Sequence, residues 1–464
     1  MKRILSSLLA ICLVLPLSAA APKYVFYFIG DGMGVNVVQL TEMYLASLKG
    51  ELGVEPLVFS QFPVVTFGTT FSADSDVTDS SASGTALATG VKTVNNHLGL
   101  DKDDNYLTSI AVKAKNCGKK VGIATSVAIN HATPASFYAH QQDRGWYYKI
   151  AMDMISADFD FYAGSHLEQK SRLEDGTRVR NAFEVMEEAG YTHISGVDDF
   201  NARCGTAKKI IMTPEKGKGM MSGIDRIGMQ KDSSLTLRQV TESAIKFLDN
   251  RKGFFLMVEG GDIDGAEHGH DAATAIHEVL DFNDAVQVAV DFYEKHPHET
   301  LIVVTADHET GGLSLNPKTP SDLSLLQYQK LSQERTSGIF GKLVKKMEPE
   351  ILSWEETKDF LKEYFGLWGA VPVSWEQEKY LHDTYELTVA RSELGHQIDL
   401  YADNALLIAR AVQVLDTNSS VHWTTSHSAG MVPTYAIGVG QEKFSRKMDN
   451  TLIPQIIAET AGYK

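Results

Sequence analysis

The chain has 464 residues, with 43 lysines and arginines against 59 aspartates and glutamates, a formal net charge of −16. A field of that sign argues against nucleic acid or an anionic membrane surface as partner. Its 3 cysteines are too few for a disulfide scaffold, so stability has to come from a large apolar core.

At the N-terminus Met1-Lys2-Arg3 precedes a mostly apolar run, Ile4 to Leu17, and small residues Ser18 to Ala21 stand before Pro22. This is the pattern of a secretory signal peptide over 1–20, with cleavage expected after Ala20 and export to the periplasm or the extracellular space. The run is too short for an ordinary bilayer-spanning helix, and no later stretch stays apolar over the ~18 residues that spanning needs. Cys12 leaves with the signal, and whether Cys117 and Cys204 pair stays open. Without Lys2 and Arg3 the balance is 41 basic to 59 acidic residues, or −18.

Apolar, β-branched runs then alternate with amphipathic segments. Tyr24 to Ile29, Lys120 to Thr125, Lys209 to Met212, Phe254 to Val258, Leu301 to Thr305 and Tyr435 to Val439 read as strands. Val35 to Leu48, Leu107 to Lys115, Trp146 to Ile155, Thr236 to Asp249 and His270 to Tyr293 read as helices. The alternation predicts an α/β fold, a large and mostly parallel central sheet with helices on both faces. No repeat or long Pro/Gly linker interrupts it, so one domain is expected over 21–464. Between about Glu309 and Thr425 the strand signal gives way to polar, aromatic-bearing segments around Trp354, Phe360, Trp368 and Tyr385. They predict a helical insertion at about 313–420, read either as a lid or as plain packing.

Three of the strands run into acids. Tyr24 to Ile29 leads to Gly30-Asp31-Gly32-Met33-Gly34, Phe254 to Val258 to Glu259-Gly260-Gly261, and Leu301 to Thr305 to Ala306-Asp307-His308-Glu309. Open α/β sheets bind ligands at the carboxyl ends of their strands, so the three carboxylates are expected to converge on one crevice. Converging carboxylates repel unless a cation holds them. Gly30 to Gly34 does not fit a dinucleotide loop, because its third glycine is misplaced and Asp31 would repel a pyrophosphate. Asp264 and His268, four residues apart, share one face of a helical turn, and mixed carboxylate and imidazole ligands favour zinc. His270 competes with His268 but lacks the i,i+4 partner.

Against that background the segment Val77 to Gly90 gains weight. Asp79-Ser80 before small residues and a closing Gly90 is, by itself, an ordinary helix cap and stop. Beside bound cations, Ser80 at a helix N-terminus becomes a candidate nucleophile toward phosphate.

Taken together, Gly30-Asp31-Gly32-Met33-Gly34, Thr78-Asp79-Ser80, Val91-Lys92-Thr93, Thr133-Pro134, Glu259-Gly260 with Asp264 and His268, Thr305-Ala306-Asp307-His308, and the region near His427 resemble the alkaline phosphatase family in order and content. The resemblance covers residue 23 to about 312 and resumes near His427. It implies two Zn2+ and one Mg2+ per chain. Asp264, His268 and His427 then look like ligands of the first zinc, Asp31, Ser80, Asp307 and His308 like those of the second. Asp31, Thr133 and Glu259 would hold the magnesium. Arg144 sits where the family places its phosphate-binding arginine, and catalysis is expected from Ser80 and Arg144. Two positions depart from the family. His131 stands where many bacterial members have aspartate, which predicts a supporting role and an altered third metal. Gly265 stands where a larger side chain often helps hold phosphate. The implied activity is hydrolysis of small phosphate monoesters through a phosphoserine on Ser80, with room for a homodimer. The rivals are phosphodiester or phosphonate hydrolysis by the same superfamily, and a non-catalytic metal- or phosphate-binding protein.

Overall fold

The structure is a computed structural model and describes residues 21–464 apart from 217–218, 221, 230–234 and 391–403. The expected signal peptide lies outside the described residues. Eight strands precede the insertion: β1 (Tyr24–Gly30), β2 (Val64–Thr69), β3 (Lys120–Thr125), β4 (Phe161–Ala163), β5 (Tyr191–Ser195), β6 (Lys209–Thr213), β7 (Phe254–Gly260) and β8 (Thr300–Ala306). Among the described residues β9 (Glu309–Thr310) and β10 (Ser314–Leu315) stand at its start, and four strands follow it: β11 (Val421–His422), β12 (His427–Ser428), β13 (Val432–Gly438) and β14 (Met448–Asp449). Ten of these form one sheet in the order β14-β2-β13-β8-β1-β7-β3-β4-β6-β5.

From β8 to β5 every neighbouring pair is parallel, and only β13 runs antiparallel to its neighbours β8 and β2. The architecture is the mostly parallel α/β sheet expected. In β1 successive side chains feed opposite faces, Tyr24, Phe26 and Phe28 into one core and Val25, Tyr27 and Ile29 into the other. Burial on both faces is why such strands read as unbroken apolar runs. The sequence reading did not include β2, β4, β5 or β14. It placed the last long strand at Tyr435 to Val439, whereas β13 spans Val432–Gly438.

Helix boundaries follow their caps. Val35–Leu48 forms as expected. The helix read from Leu107 begins at Ile110 because Ser109 caps it, accepting from the Val112 N–H. The one read from His270 begins at Ala272, where Asp271 accepts from Thr274. Cys117 and Cys204 are free thiols. Among the described residues no helix is long and apolar enough to cross a membrane.

The insertion is helical, with Pro320–Ser324, Gln333–Met347, Trp354–Phe365, Trp375–Thr388 and Asn404–Asn418. Several of its aromatics pack inward, though Trp375 is exposed: Phe360, Phe365 and Tyr385 are buried, and Trp354 meets Trp368 and Tyr385 at ring distances of 6.0 and 5.4 Å. Both of its ends carry strand, contrary to the uninterrupted loss of strand signal. β10 pairs with β11, and β9 pairs with β12 so that His427 faces Thr310. These two-residue ladders return the chain, after more than a hundred residues, to Asp307 and His308.

Candidate metal centre

Sheet register assembles the crevice. Gly30 lies beside Gly260 on one side and Ala306 on the other, and Ile29 lies beside Glu259. Asp31 and Asp307 therefore leave the sheet at one level with Glu259 just below. All three are fully buried. Gly32 has φ +74, and a Cβ there would meet Glu267 Oε2 at 2.8 Å and Thr310 Oγ1 at 3.0 Å, so the turn after Asp31 needs glycine on both counts. Its N–H donates to Asp307 Oδ1 at 3.1 Å.

Ser80 opens the helix Ser80–Thr89, with Asp79 as the cap accepting from Ala82 N–H and Gly90 closing it in the left-handed region. The helix points its N-terminus, with its partial positive charge, at the acids. Ser80 Oγ lies 3.1 Å from His308 Nε2.

Among the described residues three overlapping groups hold ligand atoms within 4.8 Å of one another: Asp264, His308 and His427; Asp31, Asp307 and His308; and Asp31, His131 and Glu259. His308 belongs to two groups and Asp31 to two. His268, expected in the first set, places Nε2 3.4 Å from Asp264 Oδ2 and 3.1 Å from His427 Nε2, with its ring still partly exposed. His427 Nδ1 donates to the Thr78 carbonyl at 2.9 Å, which turns its Nε2 to His268, at 3.1 Å, and to Asp264 Oδ1, at 3.6 Å. Thr133 Oγ1 approaches Asp31 Oδ2 at 3.2 Å and Asp307 Oδ2 at 3.3 Å. The competing His270 sits elsewhere, bonding the Thr425 carbonyl and stacking on Trp423, and His422, close in sequence to His427, bonds Asn316.

The electrostatics are those of unanswered charge. Burial first, then the carboxylates of Asp307, Asp264 and Glu259, push Asp31 well above the usual carboxylate range. Burial likewise pushes Glu259 up, against the hydrogen bond it accepts from Thr125. Asp264 goes the other way: burial opposes its ionisation, but His427, His308 and His268 together hold it below the ordinary value. Asp31 Oδ1, Glu259 Oε1 and His131 Nδ1 are buried without a hydrogen-bond partner. The two orphaned carboxylate oxygens, gathered in one place, fit a cation.

Arg144 sits at the mouth, half-buried, bonding Asp79 Oδ2 at 3.3 Å and His131 Nε2 at 3.2 Å. His131 is pushed down to about 4, by burial and then by Arg144, so it is neutral and its Nε2 accepts from the guanidinium. Its Nδ1 points at the third group, 3.9 Å from Asp31 and 4.0 Å from Glu259. Gly265 is exposed beside Asp264, and a Cβ there would meet nothing within 4 Å.

Sequence reasoning missed three contacts. Thr125 lies opposite Glu259 in the β3–β7 pair and bonds it. Glu267 is buried beneath Asp264, and Thr310 bonds Asp264 and His308. A threonine in or beside a strand carries no signal beyond strand propensity, and only the i,i+3 spacing of Asp264 and Glu267 hinted that they share a face.

Residues 22–463 match the family model described as alkaline phosphatase. Alkaline phosphatase 3 of Bacillus subtilis (strain 168) is 32% identical over 451 residues, 95% of this chain and 89% of that protein. A cold-active alkaline phosphatase from the psychrophile Shewanella sp. has a similar structure, with a TM-score of 0.77 at 28% identity, covering 94% of this chain and 99% of that one. A histidine-to-aspartate variant of the alkaline phosphatase from the Antarctic bacterium TAB5, with magnesium bound in its M3 site, gives a TM-score of 0.65 at 25% identity, covering 96% and 99%.

Proposed function

Because the chain belongs to the alkaline phosphatase family and is a metal-dependent phosphatase, we propose that it is exported and hydrolyses phosphate monoesters through a phosphoserine formed on Ser80. The observation that carries the reading is the position of Ser80, first residue of a helix aimed at three buried acids, its Oγ 3.1 Å from His308 Nε2.

In the proposed reaction Ser80 Oγ bonds to phosphorus as the ester oxygen leaves, and a water then attacks phosphorus and returns the oxygen to Ser80. Arg144, oriented by Asp79 and His131, presents a planar fork to two phosphoryl oxygens. Amides at the start of the serine helix add partial positive charge to the same group. Asp264, His268 and His427 would hold one zinc, Asp31, Ser80, Asp307 and His308 a second, and Asp31, Thr133 and Glu259 a magnesium. Bound there, the cations supply neutralisation of the acids, a lowered serine pKa and stabilisation of the leaving oxygen. Phosphoryl transfer asks for positioning and charge neutralisation more than for a protein base, and the site offers both.

His131 sets the third position apart. With its Nε2 accepting from Arg144, a neutral His131 brings the third position neither the oxygen nor the negative charge that an aspartate would give magnesium. The Antarctic variant that exchanges histidine for aspartate is described with magnesium in its M3 site. This chain keeps histidine at 131, and we read it as shifting the third metal the other way, away from magnesium.

Rapid quenching with an aryl phosphate, followed by peptide mass analysis, tests the covalent step. Phosphate on the Ser80 peptide is expected, and Ser80→Ala that retains near-wild-type turnover would overturn it. Comparing rates on a phosphate monoester and diester separates the proposal from its superfamily rivals, and an N-terminus at Ala21 in the exported protein would support signal cleavage.

A further inference from the structure

Thr310 is two residues past His308 and fully buried. Its Oγ1 lies 2.6 Å from Asp264 Oδ1 and 3.1 Å from His308 Nδ1. We propose that this one hydroxyl is a positioning group that couples the two zinc positions, turning Asp264 toward the first and choosing the His308 nitrogen that faces the second. The proposal rests on the reading of Asp264 and His308 as metal ligands.

Proton counting carries the argument. A threonine hydroxyl has one hydrogen to give, and a carboxylate can only accept. The hydrogen therefore goes to Asp264, and a lone pair of Oγ1 is left for His308. His308 Nδ1 must then be the N–H that donates to Thr310. Its Nε2 is left bare, and that atom lies 3.1 Å from Ser80 Oγ, 3.4 Å from Asp31 Oδ1 and 3.4 Å from Asp307 Oδ2. A ligating imidazole commonly has its tautomer and ring angle set by such a bond at its other nitrogen. What is particular here is that the same oxygen also restrains a ligand of the neighbouring position.

The hydroxyl is itself held firmly. Thr310 N–H donates to the Gly32 carbonyl at 3.2 Å, and the bare Cα of Gly32 leaves room for Oγ1. In the β9–β12 pair Thr310 faces His427, a further candidate ligand. Thr310 therefore stands against Asp264, His308 and His427, which together form one of the three ligand groups.

The alternative is that Thr310 only fills space, in which case a valine of the same shape would serve. Ring-nitrogen NMR on the metal-free protein, with His308 assigned by a His308→Gln control, reads the tautomer directly. Wild type and Thr310→Ser are expected to carry the His308 hydrogen on Nδ1, and Thr310→Val to lose that preference. Zinc titration calorimetry then follows binding. Thr310→Val should weaken both zinc steps, each by roughly 10–100-fold, while Thr310→Ser keeps them. An Nε2-protonated His308 in the wild type overturns the proposal without any variant. So does a Thr310→Val protein that binds both zincs as tightly as wild type, or that weakens one step alone. Wild-type protein that takes up no zinc would instead refute the ligand reading beneath it.

Discussion

Two of the groups of buried acids in this fold are answered in opposite ways. Where the insertion meets the helix beginning at Ala272, Asp271 accepts from Thr274 N–H and Oγ1 at 3.0 and 2.6 Å, from Gln329 Nε2 at 2.8 Å and from Gln333 N–H at 2.9 Å. Asp225 nearby accepts from Ser332 N–H and Oγ at 2.8 and 2.9 Å. In the strand-end crevice, Asp31 Oδ1 and Glu259 Oε1 have no donor at all, and their neighbours are other acids and imidazole nitrogens. An acid met by N–H and O–H donors can stay buried as part of the structure. An acid buried among acids has to be neutralised by a bound cation or by a proton, and that difference is what the proposed site rests on.

The comparison breaks if the crevice works without metal. Exhaustive chelation is expected to abolish phosphatase turnover, and add-back of zinc with magnesium to restore it. Activity that survives chelation would remove the distinction between the two groups. Single substitutions sharpen it by giving opposite signs. Asp307→Asn should cut turnover of the metal-loaded protein by on the order of 10²–10³. In the chelated protein the same change removes one of the mutually repelling charges, so its melting temperature should rise. Asp271→Asn should do the reverse in every metal state. Its amide nitrogen would face donors that now bond a carboxylate oxygen, at a cost of about 2–4 kcal/mol. Melting curves of both variants, with and without chelator, decide the matter.

The same contrast explains what could be read in the sequence. Strands buried on both faces, such as β1, β7 and β8, announced themselves as apolar runs, and the acids that end them were visible as breaks in those runs. β4 has three residues, and β5 has only Tyr191 and Ile194 fully inside, so neither could stand out. The neighbour order that sets β1 between β7 and β8 is written in no local pattern, yet it is what brings Asp31, Glu259 and Asp307 together. His427 reaches the site through two-residue ladders too short to be seen in advance. Thr310 and Thr125 are the harder cases: each is an unremarkable residue until the fold sets it against an acid.

The smallest expected effect is a slope. In the metal-free crevice Glu259 is pushed up to about 8 from 4.5, so the folded protein keeps a proton that the unfolded chain has already released. Stability changes with pH in proportion to protons bound by the unfolded state minus those bound by the folded state. Between those two values the difference is negative. Chelated protein should therefore be most stable below pH 4.5 with respect to this group, and lose that stability as pH rises toward 8. The change is on the order of 1–2 kcal/mol, since neighbouring acids share the proton. Metal-loaded protein should lack this fall, because a coordinated carboxylate is already ionised, and should weaken instead on acidification as protons displace the cations. Chemical denaturation at pH 5, 6.5 and 8, with and without chelator, measures both slopes. Parallel slopes would mean that no metal-sensitive carboxylate titrates in the crevice, and would put its acids in the same class as Asp271.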